Sequence, residues 1–212
     1  MCSGRVDLSF VLRAFLNGMD GVFIGGCHLN ECHYITEGNH HAFGMVQLCK
    51  RLLEEIGLNP NRLRIEQLSA GEGIRFAEAM NEFSRELREF GPLGKGEGVN
   101  PVQVRASLKS ALSLVPYIRL VERERLRIHC ATAEEYESYF RSDEVQALIQ
   151  ELIVDKLIRC RILELLREQP RSAGELSRIL GLSPSVVARH MTDSTRLGLA
   201  RFEESRMRFV PA

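Results

Sequence analysis

The chain has no stretch of about eighteen apolar residues anywhere in its 212, so no membrane-spanning helix is expected. The opening run Met1-Cys2-Ser3-Gly4-Arg5 has no basic region, apolar core or small-residue cleavage site, so a secretory signal is not expected either. There is no net charge: Lys plus Arg and Asp plus Glu each number 28, which removes any general attraction to nucleic acid or anionic membrane. No internal repeat and no low-complexity tract interrupts the chain. A G-x-G-x-x-G loop is also missing, which argues against a bound dinucleotide. These absences predict a cytoplasmic protein of one large domain or two small ones.

What the chain does have is cysteine. Six occur, at Cys2, Cys27, Cys32, Cys49, Cys130 and Cys160. Without an export signal, metal binding is a better expectation for them than disulfides.

Periodicity divides the chain into three parts. In the first, Val6 to Leu16 reads as a helix, Asp20 to Gly26 as a strand ending in glycines, and Phe43 to Ile56 as a helix stopped by Gly57. Leu63 to Leu68 is a second strand, and Ile74 to Phe90 an amphipathic helix closed by Gly91-Pro92. The alternation is that of a parallel α/β sheet. Two strands are too few for a stable parallel sheet. The expectation is therefore that the first strands precede Met1 or come from a partner chain. A Gly-rich stretch, Leu93 to Asn100, separates this domain (1–92) from a helical connector (93–151) with breaks expected near Pro116 and Ser142. Arg119 to His129 fits strand or helix. The tail (152–212) reads as three helices, Val154–Arg167, Ala173–Leu180 and Pro184 to about Leu197, then a hairpin: a winged helix-turn-helix. Its core is expected to include Leu176, Ile179, Leu180, Leu182, Val186, Val187 and Leu197. Charge follows the division only weakly, with 10 basic and 13 acidic groups in residues 1–98 against 11 and 7 in 152–212.

Iron–sulfur clusters need thiolates converging from loops around a compact inorganic core. Cys27 and Cys32 directly follow a strand, and Gly25 and Gly26 would let the backbone turn and point its amides toward sulfur. Cys2 opens a helix in a comparable place. A C-x4-C spacing alone is weak, and His28 and His33 make a mixed Cys/His zinc site the competing reading. A place behind the ligands or facing solvent is the plainer reading of both histidines.

The runs Met1-Cys2-Ser3-Gly4-Arg5-Val6-Asp7, Gly18-Met19-Asp20-Gly21-Val22, Gly25-Gly26-Cys27-His28-x-x-x-Cys32-His33-Tyr34, Gly38-Asn39 and Ser69-Ala70-Gly71-Glu72-Gly73 occur in that order. Together they closely resemble the delta subunit of methyl-viologen-reducing (F420-non-reducing) hydrogenase over residues 1–92. The resemblance implies a small α/β domain with a [2Fe-2S] cluster on Cys2, Cys27 and Cys32. It also implies electron transfer from a hydrogenase or formate dehydrogenase to a heterodisulfide reductase A-like flavoprotein. The family normally carries a Cys-x-x-Cys pair upstream of Cys-Ser-Gly-Arg, so an incomplete ligand set is expected in this chain. A start assigned after an in-frame selenocysteine codon would explain it, and upstream genomic sequence tests that. Leu29-Asn30-Glu31 replaces the family's Pro-Gly-Asp-like turn.

Other residues have plainer readings. Cys49 is expected as a buried structural thiol, Glu72 as a helix cap, and His40-His41 as a surface pair. Arg5 would offset the charge of a thiolate cluster. Arg178, Arg189, His190, Arg196, Arg201, Arg206 and Arg208 would suit phosphate contacts, with Ser183, Ser185 and Thr192 near bases. Protein docking ranks above DNA binding for this tail. The leading reading is an electron-transfer component rather than a catalyst on its own. The alternative is a redox- or metal-responsive DNA-binding transcription regulator.

Overall fold

The computed structural model describes residues 2–35 and 37–212; Met1, which opens the first of the five motifs, lies outside the described residues. The chain divides into two compact units, Met1–Ile149 and Gln150–Ala212.

The first unit begins with a 3₁₀ turn, Ser3–Arg5, then α1 (Leu8–Leu16), β1 (Val22–Gly26), α2 (Asn39–Ile56), β2 (Leu63–Gln67) and α3 (Gly73–Phe90). β1 and β2 pair in parallel, with Ile24 opposite Ile65, and α2 forms the crossover. The expected α/β alternation is therefore present, on a two-stranded sheet. Phe23 of β1 meets Phe76 and Phe83 of α3 at ring-centroid distances of 6.1 and 5.8 Å. α2 carries the densest core, with Val46, Cys49, Leu52 and Leu53 fully buried. Gly57 ends it in the left-handed conformation (φ 84°) that glycine adopts without a Cβ penalty.

Three further helices belong to the same unit: α4 (Pro101–Val121), α5 (Ala133–Arg141) and α6 (Asp143–Ile149). The break at Ser142 is present. The break expected at Pro116 is not, because α4 runs through the proline. An interior proline costs about 3 kcal/mol of helix stability. Here Leu108, Ala111, Val115 and Ile118 bury a continuous stripe of α4, whose main partner is α1, and that packing outweighs the lost backbone bond. The ambiguous segment after Arg119 completes α4 and then makes a π-helical turn, Glu122–Leu126.

The Gly-rich stretch after Pro92 is stitched down by charge. Arg62 is fully buried and pairs with Glu97, Nε to Oε1 at 2.5 Å and Nη2 to Oε2 at 3.1 Å. Its remaining donors reach the carbonyls of Asp20 (3.0 Å) and Gly91 (2.9 Å). Glu97 also accepts from the amides of Asn59 and Gly94. A buried ion pair is tolerable when its donors and acceptors are matched in this way.

The second unit opens with a π-helical turn, Gln150–Val154, followed by α7 (Asp155–Glu168), α8 (Ala173–Leu180), α9 (Pro184–Arg196), β3 (Ala200–Glu203) and β4 (Arg208–Pro211). Ser172 and Glu175 form a capping box that starts α8. Ser183 caps α9, and Pro184 takes its first position. β3 and β4 form the antiparallel wing. Leu176 and Val187 are fully buried, as a helix-turn-helix core requires, and Ile179, Leu180, Leu182 and Val186 are half-buried. Leu197 is 58% exposed rather than in the core, because the chain leaves α9 there and turns at Gly198 (φ 68°). Among the described residues, no helix is long and apolar enough to cross a membrane.

Asp7 connects α1 to α4. It caps α1 through the Ser9 amide at 2.8 Å and accepts from Arg119 Nε (2.7 Å) and Nη2 (2.5 Å). Burial pushes its carboxyl up, but the Arg119 and Ser9 hydrogen bonds outweigh that and bring it from 3.8 down to about 2. A carboxylate depressed by folding stabilises above its unfolded value and loses that contribution as pH falls through its folded value. Asp7→Asn is expected to lower stability at pH 7 by about 1 kcal/mol, the scale of a half-exposed pair. The difference from wild type should vanish as pH falls from 3.8 toward 2, read by urea denaturation followed by circular dichroism. A difference that persists below that window contradicts the assignment.

Candidate functional site

The three cysteines singled out from the sequence come together at the N-terminal end of α2. Cys2 precedes the 3₁₀ turn and accepts from the Gly4 amide at 3.4 Å. Its sulfur lies 3.5 Å from that of Cys32. Cys27 follows β1, and its thiol interacts with Cys32. Cys32 is buried, whereas Cys2 and Cys27 are half-buried. Between them, residues 28–31 turn back through the Glu31 amide on the His28 carbonyl (3.1 Å), with Asn30 left-handed at φ 68°.

Two glycines make this convergence sterically feasible. A Cβ on Gly38 would overlap the Cys32 sulfur, and a Cβ on Gly4 would overlap the Gly38 carbonyl oxygen. The backbone carrying Cys2 therefore lies directly on the turn that enters α2. Gly25 and Gly26 end the strand as expected but do not turn the backbone toward sulfur. Both remain in β1, opposite Glu66 and Gln67. The amides turned toward sulfur come instead from Gly4, Tyr34 and Asn39.

The electrostatics are uneven. Burial opposes ionisation of Cys32, but the amides of Tyr34 and Asn39, then the Cys2 and Cys27 thiols, hold it below the ordinary thiol value. Cys27 is pushed up by burial and then by Cys32. Cys32 is therefore the thiol of this pair that ionises more readily.

Asn39, 1% exposed at the first position of α2, carries no sequence signal beyond its place in the Gly38-Asn39 motif. Its Nδ2 donates to the carbonyls of Cys27 (2.9 Å) and His28 (2.7 Å) and faces the Cys27 sulfur at 3.8 Å. His28 pairs with Glu72 at 2.7 Å. Glu72 holds the N-cap position of α3 but makes no side-chain cap; its carboxylate instead accepts from the Ser69 amide (2.6 Å) and from His28. Those two bonds, the amide first, hold it down to about 2. His33 is exposed, edge-on to Tyr34. Neither histidine joins the sulfurs, which weakens the mixed zinc reading.

Only one of the expected surface pair is buried, and the other, His41, is half-buried. His40 is 3% exposed, bonded to Tyr136 at 3.0 Å and stacked on His129. His41 lies by Glu122. A helical period on α2 turns position 40 inward, and α5 covers it. Cys49 is fully buried and its thiol is pushed well up by burial, as a structural thiol should be. Cys130 is buried and Cys160 half-buried. Arg5 is exposed and lines, with Cys2, Gly4, Tyr34, Glu37 and Gly38, an open cavity of about 470 Å³.

As they stand, no three His, Cys, Asp or Glu side chains among the described residues are placed to hold a metal ion. A cluster differs from a single ion in needing sulfurs spread around a core of several atoms. Three converging thiols with amides facing sulfur suit that chemistry. A [2Fe-2S] cluster takes four protein donors, and three thiols would be one short of that number.

Residues 1–91 match the family of the methyl-viologen-reducing hydrogenase delta subunit, and residues 158–198 match the bacterial regulatory protein arsR family. The iron–sulfur subunit of an F420-non-reducing hydrogenase from Archaeoglobus profundus is 50% identical over 91 residues, 43% of this chain and 66% of that protein. The vhu iron–sulfur subunit of an F420-non-reducing hydrogenase from Methanopyrus kandleri is 38% identical over 92 residues, 43% of this chain and 69% of that protein. The A component of a ferredoxin/F420H2-dependent CoB-CoM heterodisulfide reductase from Methanosarcina acetivorans is 50% identical over 94 residues, 44% of this chain but 12% of its own length. The chain thus spans just under two thirds of the first relative and a small part of the last. On this identity and coverage, the chain belongs to the methyl-viologen-reducing hydrogenase delta subunit family.

Proposed function

We propose that Cys2, Cys27 and Cys32 hold an iron–sulfur cluster of the [2Fe-2S] type. On this reading the first unit passes single electrons between a hydrogenase or formate dehydrogenase and a heterodisulfide reductase A-like flavoprotein. The observation that carries it is the convergence of three thiols, two of them 30 residues apart in sequence and 3.5 Å apart in space. The relatives support it: those from hydrogenases are named as iron–sulfur subunits, and a similar sequence recurs within the A component of a heterodisulfide reductase.

Bound there, the cluster would supply a one-electron carrier. The chain's own contribution is to place the ligands and to moderate their charge. Cys32 ionises readily beside the amides of Tyr34 and Asn39, and the Gly4 amide faces the Cys2 sulfur. Arg5 and Glu37, both exposed, line the same cavity, so its rim carries both signs of charge. Such a role needs no general acid or nucleophile, and the reading assigns none.

Anaerobic reconstitution of the full chain, with a small thiol in excess to supply the fourth ligand, is expected to yield bound iron and, after reduction, the EPR signal of a [2Fe-2S] centre. Cys27→Ala and Cys32→Ala should each abolish the signal, while Cys49→Ala keeps it. Iron bound equally well by the Cys32→Ala chain would sink the proposal.

The arsR-family match favours a second reading, a redox- or metal-responsive regulator whose second unit binds DNA. Arg189, Arg206 and Arg208 are tied to Asp155, Glu203 and Glu175. Arg178, Arg196 and Arg201 are exposed and enter no ion pair among the described residues. This reading predicts that the chain shifts duplex DNA with an affinity that falls as salt rises, and that replacing these three arginines with glutamate removes the shift. No shift at low salt eliminates it.

A further inference from the structure

We propose that Asn39 is the positioning residue of the site, clamping the Cys27 and Cys32 arms at ligand spacing and presenting a neutral donor to the Cys27 sulfur. This rests on the cluster reading above.

The geometry is specific to one residue. The main chain of Asn39 faces the Cys32 sulfur. Its side chain reaches the other arm, donating to two successive carbonyls, Cys27 at 2.9 Å and His28 at 2.7 Å. The same nitrogen faces the Cys27 sulfur at 3.8 Å. Asn39 thus meets one arm with its side chain and the other with its main chain. The clamp is almost sealed from solvent, so water cannot replace its hydrogen bonds cheaply.

The residue type follows from the chemistry. Three acceptors, two carbonyl oxygens and a sulfur, surround one nitrogen, so the group must carry two hydrogens and no negative charge. Asparagine meets this, whereas aspartate, of equal size, would set a carboxylate against three electron-rich atoms. The Asn39 Oδ1 is buried without a hydrogen-bond partner, so the amide is oriented by its donors alone. An N–H aimed at a ligand sulfur also withdraws electron density and favours the more negative, reduced state.

The test uses the full chain, wild type and Asn39→Ala, with Asn39→Asp as the isosteric second variant should alanine fail to fold. Both variants are expected to lose iron to a chelator on the order of tenfold faster, the usual scale for partners that orient a metal ligand. The reduced signal should show altered g values, and the midpoint potential in an EPR-monitored titration should move to more negative values. A purely structural role would speed iron loss without moving the potential. In the iron-free chain, alkylation of Cys27 should also be faster in the variants, because its loop is no longer held. Unchanged potential and unchanged alkylation overturn the proposal. If the wild type binds no iron, the cluster reading fails. Asn39 is then judged on Cys27 alkylation alone: faster in the variants upholds the clamp, equal rates refute it.

Discussion

The site depends on a close approach of backbone to sulfur at the entry to α2. Cys32 lies against the Cα of Gly38, and Gly4 lies against the Gly38 carbonyl, at separations that leave no room for a Cβ on either glycine. From those two contacts follow the proximity of Cys2 to Cys32 and the direction in which α2 leaves the loop. α2 then threads the core of the first unit, so the thiols are fixed to the most buried helix rather than to a free loop. Loop ligands anchored to a rigid element keep their spacing more tightly than loop ligands alone.

The helices after the glycine-rich stretch bear on the same end of α2. Tyr136 of α5 stacks on Phe43 and bonds to His40, one residue beyond Asn39. Ala131 accepts from Asn30 within the cysteine loop. Glu122, in the π-helical turn, gathers His41 and Arg127. The segment outside the family match therefore buttresses the residues that carry the site. The buried Arg62–Glu97 pair anchors the stretch that leads into it.

Much of this was readable from sequence because the signals were local. Strand, crossover helix and strand follow from hydrophobic period and from Gly57 as a stop, and the helix-turn-helix from Ser172, Gly181 and Pro184. The cysteines stand out by residue type and spacing, and the family motifs order them. What was missed depends on distant contacts. Pro116 is carried by packing on α1, and His40 is covered by α5, neither of which a local pattern encodes. Glu72 carries a cap signature, yet His28, 44 residues earlier, claims its carboxylate. Gly25 and Gly26 resemble a turn, but the partner strand β2 keeps them extended. Asn39 had no local signal of its own, because its importance lies in reaching back 11 and 12 residues to two carbonyls.

An electron carrier needs little chemistry from the protein beyond ligands, donors and an exposed edge, and on the proposed reading the thiols, the amides and the open cavity of the first unit would supply them. Which thiols are ligands is therefore the decisive question. It is answered most directly by anaerobic differential alkylation with mass spectrometry on the reconstituted chain, before and after iron is chelated. Protection of Cys2, Cys27 and Cys32 in the loaded chain, lost on chelation, with Cys160 unaffected, is the expected result. Equal alkylation of those three thiols in both states would contradict their role as ligands.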